Sequence, residues 1–353
     1  MILIYTHKIT PRLKYIFKHI FTRTLLISVN FTSKVEDFVA HNGPKITYGK
    51  APLGNEFFVK SKNLLFEQGV NDLEISIQKW DEVPCFFRAG TKSTIPFDIF
   101  AASFYLISRY EEYLPHVKDI HGRYTAEQSI AYKHGFLEKP VIDIWAYKLL
   151  EVLKEKFPDY EYQQRNYEFI STLDIDNAYA YKYKSLVRNV GGFVKDLVNF
   201  RLLNVWDRFA VSVKIKKDPF DTFDKILRIK KEKNIKTIIF FLIGDYTTFD
   251  TNVSASKTKY RLLIKEMLDY AKVGLHPSYF TMKNPTLLKK EKQRLEDIIN
   301  TAILKSRQHY LRFNLPETYQ NLIDLEVAED YSMGYASNVG FRASTCTPFY
   351  FYD

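Results

Sequence analysis

Apolar positions change their spacing part-way along this chain, and the change divides it in two. Residues 2–5 (ILIY) and 24–29 (TLLISV) are short apolar runs that predict strands on either side of a basic helical stretch. Residues 45–80 read as a mixed, strand-rich region. Phe97, Phe100, Phe104 and Ile107 recur at helical spacing behind Pro96, which predicts a helix over 97–113. A second helix is predicted over 142–157, stopped by Pro158. The polar, aperiodic stretch 158–166 (PDYEYQQRN) marks a domain boundary. Beyond it strands alternate with helices: strands over 167–174, 236–243, 272–276 and 307–313, helices over 221–233, 258–271, 286–304 and 317–326. Such alternation predicts an α/β fold with a parallel sheet, open or closed into a barrel, and a smaller α+β domain before it. The two domains span 1–160 and 167–353.

The strand ends carry the candidate chemistry. In a parallel βα array the C-terminal ends of the strands converge on one edge. Asp174 and Asp176 end the first strand of the second half, and a period of two puts both carboxylates on one side. Two carboxylates held that close repel unless a cation neutralises them. His276 ends another strand in VGLHPSY and is a natural ligand for zinc or a similar divalent ion. Arg307 and His309 share parity on the last strand, where Arg307 can grip a carboxylate; Arg312 has the opposite parity. Taken singly, these residues also fit a solvated aspartate pair, a capping histidine, a strand-edge arginine and a packed histidine. Three strand ends each delivering polar groups favour a common site.

Composition narrows the setting. A formal charge of +10 is scattered, with local clusters at Lys214, Lys216, Lys217 and at Lys230, Lys231, Lys233. Each cluster reads first as a solvated face, and second as attraction to an anionic glycan or a membrane surface. No nucleic-acid motif accompanies the charge, so nucleic acid is not an expected partner. Cys85 and Cys346 are the only cysteines, which favours a reducing compartment over a disulfide scaffold. No apolar run approaches the roughly 20 residues of a membrane span. The start of the chain is broken by Lys8, Arg12, Lys14, Lys18 and Arg23, unlike a signal peptide. A cytoplasmic protein with peripheral membrane contact is therefore expected.

The second half resembles the NodB-homology domain of polysaccharide deacetylases, the fourth carbohydrate-esterase family. Thr172-Leu173-Asp174-Ile175-Asp176 resembles the family's Thr-Phe-Asp-Asp-Gly, which implies Asp174 as catalytic base and Asp176 as metal ligand. Residues 237–241 resemble its Ala-Thr-Phe-Phe strand. Val273-Gly274-Leu275-His276 resembles its Ile-Gly-x-His, which implies His276 as a metal ligand. Arg307-Gln308-His309-Tyr310 resembles its Arg-x-Pro-Tyr, whose arginine positions the base. The first half, with FDIFAASFYLISRYEEYL and HGRY at 121–124, looks like the uncharacterised domain that precedes such deacetylases in a bacterial subgroup; His121 and Arg123 there read as structural.

There are three departures from the family pattern. Ile175 separates the two aspartates, Phe280 stands where the family's second metal histidine falls, and His309 replaces the proline of the third motif. The last two are linked if His309 restores the missing nitrogen ligand. The resemblance implies a distorted (β/α) barrel and metal-dependent removal of N- or O-acetyl groups from a polysaccharide or glycan precursor, with zinc first among the ions. Family members close the barrel with further strands and place a late histidine as general acid. Here no histidine follows His309, and a strand is predicted over 348–352 just before the last residue. An incomplete barrel with weak or no activity is the resulting expectation. Two other readings stand beside it: a nucleotide-sugar glycosyltransferase using Asp-x-Asp, and an inactive glycan-binding relic.

Overall fold

Ile2 and Ile4 are fully buried while Leu3 and Tyr5 are half-buried, so the first apolar run forms a strand with one face in a core. In the computed structural model, which describes residues 1–353 apart from the Leu186 side chain, the chain divides into two units. The first comprises Met1–Tyr167 together with Met333–Asp353, and the second Glu168–Ser332.

In the first unit, β1 (Ile2–Tyr5), α1 (Pro11–Phe17), β2 (Val29–Thr32), α2 (Val35–Ala40), β3 (Lys45–Gly49) and β4 (Phe57–Lys60) build a four-stranded sheet in the order β2-β1-β3-β4. Its paired strands all run parallel, so this half is built on α/β lines and not as the expected α+β arrangement. Thr10 caps α1, accepting a bond from Leu13 N, with Pro11 at the first helical position. Residues 18–24 continue this helix with wider π-type winding, closed by Thr24 Oγ1 donating to His19 O at 3.0 Å. The strand predicted over 24–29 therefore starts later, at Val29. A short antiparallel pair, β5 (Gln78–Trp80) and β6 (Val83–Cys85), precedes α3 (Ile99–Ile107), α4 (Ile130–Lys133) and α5 (Val141–Lys156). Every residue of α3 is buried, and Phe100 stacks on Phe17 with ring centroids 3.7 Å apart. A cavity of about 470 Å³ opens beside the β1–α1 turn among Lys8, Arg12, Phe66, Phe104 and Tyr110.

Residues 333–353 pack on this first unit and form no strand over 348–352. The reason is polar. Buried Asp143 of α5 accepts bonds from Thr345 Oγ1 at 2.7 Å, Cys346 N at 2.9 Å and Thr347 Oγ1 at 2.5 Å. Arg342 reaches Glu112 at 2.6 Å. Gly340 sits at φ +144, and a Cβ there would lie 2.6 Å from Leu137 O, so a side chain is excluded at that crossing.

The second unit contains β7 (Ile170–Ile175), α6 (Leu186–Val198), α7 (Leu202–Ser212), α8 (Phe223–Lys233), β8 (Lys236–Leu242), α9 (Thr258–Leu268), β9 (Lys272–His276), α10 (Pro285–Ile299), β10 (Lys305–Ser306), α11 (Glu317–Asp324) and β11 (Glu329–Asp330). The strands form a parallel sheet in the order β11-β10-β9-β8-β7, as the alternating pattern predicts. The registers pair Asp174 with Phe240 and Leu242 with His276, which brings the C-terminal ends to one edge. At Gly274 a Cβ would lie 2.6 Å from the Phe240 ring and 3.0 Å from Lys305 O; only glycine permits β8, β9 and β10 to pack this closely. Two regions of this unit differ in their elements from expectation. No strand lies over 307–313, since β10 is confined to Lys305–Ser306, and α6 and α7 occupy 186–212, where the apolar pattern predicts no element.

Candidate metal centre

Three strand-end regions of the second unit deliver the site. Asp176 follows β7, His276 ends β9, and His309 lies in a short 3₁₀ turn, His309–Leu311, beyond β10. The turn exists because the backbone donors after β10 leave the ladder. Gln308 N donates to Ser332 Oγ at 2.8 Å and His309 N to Pro277 O at 3.2 Å. Tyr310 and Leu311 then take left-handed φ values of 61° and 49°, a conformation disfavoured for such side chains and found where surrounding contacts impose it. His309 thus reaches the site by a turn and not by strand parity.

One ligand atom from each of Asp176, His276 and His309 lies within 4.8 Å of the others. His276 Nε2 is 3.0 Å from Asp176 Oδ1, and His309 Nε2 is 3.7 Å from the same oxygen. Both histidine side chains are almost fully enclosed, whereas that of Asp176 is 57 % exposed, so the site opens to solvent on its carboxylate side.

The far nitrogens decide what the site requires. His276 Nδ1 faces Arg307 O at 2.5 Å, and a carbonyl only accepts, so Nδ1 carries the proton. His309 Nδ1 faces the carboxylate of Asp250 at 2.9 Å and donates in the same way. In the neutral imidazoles, both Nε2 lone pairs then face the carboxylate of Asp176. Acceptors facing one another repel unless a cation stands between them, either an added proton or a metal. A carboxylate with two imidazoles is a common donor set for a zinc-like ion, whose ligands sit about 2.0–2.2 Å away. The residues present therefore fit a divalent metal.

Partial burial works to raise the Asp176 carboxyl, but the hydrogen bond with His276 and the charges of His276 and His309 outweigh it and hold it below the usual range. Asp250 behaves alike: burial opposes ionisation, while bonds from His309, Thr247 and Tyr279 N keep the carboxyl low. Asp250 is 1 % exposed, and Tyr279 N and Thr247 Oγ1 reach it at 3.0 and 2.7 Å. It orients His309 as outer-sphere carboxylates orient metal-bound histidines. Sequence reasoning missed Asp250; it sits in a loop with no periodicity, and only the fold brings it to His309. Buried Glu291 of α10 holds the loop after β9, accepting from Ser278 N at 2.9 Å and the Ser278 hydroxyl at 2.5 Å; burial pushes its carboxyl up to about 7.

Of the other residues singled out from the sequence, Arg307 Nη1 lies 3.2 Å from Asp174 Oδ1, while Arg307 Nε donates to Tyr331 O at 3.0 Å. Arg312 lies over the ring of Tyr279 at 4.0 Å, apart from the ligand set. Phe280 packs against Phe249 and Tyr279, with centroids 5.9 and 5.2 Å away, so the second imidazole of the cluster comes from His309.

Comparison with known proteins adds little. Residues 2–158 match a family model described as a family of unknown function (DUF7033). No curated protein matches the chain. A solved structure titled as that of a mutant CE4 family pseudoenzyme, BA3943, with restored enzymatic activity is similar at 16 % identity, covering 48 % of this chain and 46 % of that one with a TM-score of 0.27. The match spans less than half of that protein's length, and at this distance no residue role transfers from it.

Asp250→Asn is expected to weaken zinc affinity about 10–100-fold, the usual cost of losing an outer-sphere partner. Competition against a chromophoric chelator measures this, and unchanged affinity would remove Asp250 from that role.

Proposed function

We propose that residues 168–332 form a metal-dependent hydrolase that removes N- or O-acetyl groups from a bacterial polysaccharide or glycan precursor. The observation that carries this reading is the pair of imidazoles whose Nδ1 atoms are committed to acceptors and whose Nε2 atoms face one carboxylate. Asp176, His276 and His309 would hold the ion, with zinc first among the ions such a donor set takes. A divalent ion there supplies Lewis acidity and stabilises developing negative charge on an acetyl oxygen.

The other groups have separable tasks. Asp174 takes a proton from the attacking water. Arg307, anchored on Tyr331 O, holds that carboxylate in place and aimed. With both histidines engaged as ligands, Asp174 is also the group of this set that can return the proton to the leaving nitrogen or oxygen. Tyr310, whose ring centroid is 4.6 Å from that of His309, and Phe280 keep part of their rings exposed. Such faces suit the apolar C–H side of a sugar ring. The glycosyltransferase reading employs the aspartates alone and leaves both imidazoles without a task.

Metal analysis of the purified chain is expected to give about one zinc-class ion per molecule, lost in His276→Ala, since removing one of three ligands opens the set. With that metal present, acetate release is expected from acetylated amino-sugar oligomers. A metal-loaded chain that releases no acetate from any acetylated glycan would falsify the deacetylase reading; a chain that takes up no metal would remove the centre itself. Because the ligands must be deprotonated, uptake is also expected to release protons to the buffer.

A further inference from the structure

Helix α6 is built inside out for a protein in water, and so is most of α7, which buries Ala210 and Val211 at its end. On α6, Val187, Val190, Val194 and Leu197 follow helical spacing and form one stripe, all exposed, Val187 at 82 %. On α7, Leu202, Trp206 and Phe209 do the same, with Phe200 at 87 % exposure in the connection. Leu186 aside, the buried side chain of α6 is Asp196. It is paired at 2.9 Å with Arg208 of α7, and the two side chains are only 11 % and 14 % exposed. Arg208 in turn lies over the Tyr181 ring at 4.8 Å.

Charged groups likewise tie this hairpin to the rest of the second unit. Arg188 donates to Thr251 O at 2.5 Å and to Asn252 O at 2.9 Å. Asp218 accepts from the backbone of Ala180, Tyr181 and Lys182 at 2.8–2.9 Å, closing the base of the excursion. On α6 the polar side thus faces inward and the apolar side outward, and Leu202, Trp206 and Phe209 of α7 continue the outward apolar face. Contiguous apolar surface of this kind marks an interaction site, since soluble monomers rarely expose it.

The charge indicates the partner. Residues 182–217 hold nine Lys and Arg against two Asp, so this short segment carries a formal +7 of the whole chain's +10. An apolar stripe with a strongly basic surround fits a surface that is negative outside and hydrocarbon beneath. No helix of the described residues is long and apolar enough to cross a membrane. We propose that α6 and α7 lie in the plane of an anionic lipid surface, with the Val190/Val194 and Leu202/Trp206 stripes in the interface and Lys195, Arg201, Lys214 and Lys216 among the headgroups. This inference is independent of the hydrolase reading; together they would hold the catalytic unit against a membrane, where lipid-linked glycan is at hand.

The experiment is vesicle flotation with the full chain. Vesicles of phosphatidylcholine alone are compared with vesicles containing about one third phosphatidylglycerol, at about 0.1 M and about 0.5 M salt. Binding to the anionic vesicles that weakens at the higher salt is expected, with a blue shift of Trp206 emission that Trp206→Phe removes. Val194→Glu with Leu202→Glu is expected to reduce binding about tenfold or more. Circular dichroism and metal stoichiometry check that this variant is folded. Equal binding to both vesicle types, or none at the lower salt, overturns the proposal. So does a concentration-dependent dimer that the double variant dissociates, which would assign the face to a second copy of the chain.

Discussion

Asp174→Asn is expected to lower acetate release by about 10²–10⁴-fold, the usual contribution of a positioned general base, while zinc affinity changes little. The separation follows from geometry. The ligand atoms that converge belong to Asp176, His276 and His309, and Asp174 is outside that set. Its partner is Arg307, 3.2 Å away. Asparagine keeps the shape of the side chain and can still accept from Arg307, but it cannot take a proton at neutral pH. Asp176→Asn is expected to reduce metal affinity and activity together, because it weakens the carboxylate that both imidazoles face. Steady-state acetate release and chelator competition on the two variants distinguish the roles. Full activity in Asp174→Asn would remove it from the role of base; loss of metal would make it a ligand.

Glu112→Gln is expected to destabilise the first unit by about 3 kcal/mol at neutral pH, the lower end of the cost of breaking a buried ion pair. Arg109 Nε and Arg342 Nη2 lie 2.7 and 2.6 Å from Glu112, and the three side chains are between 1 % and 4 % exposed. The substitution leaves two buried guanidiniums with one fewer carboxylate. Arg109 retains Glu111 at 2.8 Å, and Arg342 retains Gly334 O at 3.0 Å, which keeps the loss from being larger.

The pH dependence has a definite sign. Burial alone would raise the Glu112 carboxyl, but Arg342 and Arg109 pull it down to about 2 from its ordinary 4.5. A depressed carboxyl stabilises the fold above its unfolded pKa, and that contribution fades as pH falls from about 4.5 toward about 2. At 1.36 kcal/mol per pH unit, it amounts to about 3 kcal/mol. Denaturant titrations of both proteins are therefore expected to differ by about that amount at pH 7 and to converge near pH 2–3. A constant difference across that range would show that packing, and not the charge, accounts for the loss.

Much of the second unit was legible from local pattern. The strands predicted at 236–243 and 272–276 differ by at most one residue from β8 and β9: the first holds the continuous apolar run 238–243, and the second is a short segment set off by Lys272 and by the His276-Pro277 turn. Helix ends were less legible. The helix predicted over 286–304 ends at Ile299, where Asn300 takes the left-handed φ of 54° that closes helices, a position its flanking apolar residues conceal. The turn at His309–Leu311 was illegible for a different reason: its backbone bonds go to Ser332 and Pro277, far apart in the chain.

The sequence by itself determined that Asp174, Asp176 and His276 stand at strand ends, and that alternating strands and helices would gather those ends on one edge. Period and polarity are local properties, and they suffice for that. Only the tertiary structure decided that His309 completes the cluster and that Asp250, 59 residues away, holds it. It also decided that residues 333–353 return to the first unit, and that α6 turns charge inward and valine outward. In each case a buried polar group had to find a partner, and the partner lay at a distance in sequence that no local pattern encodes.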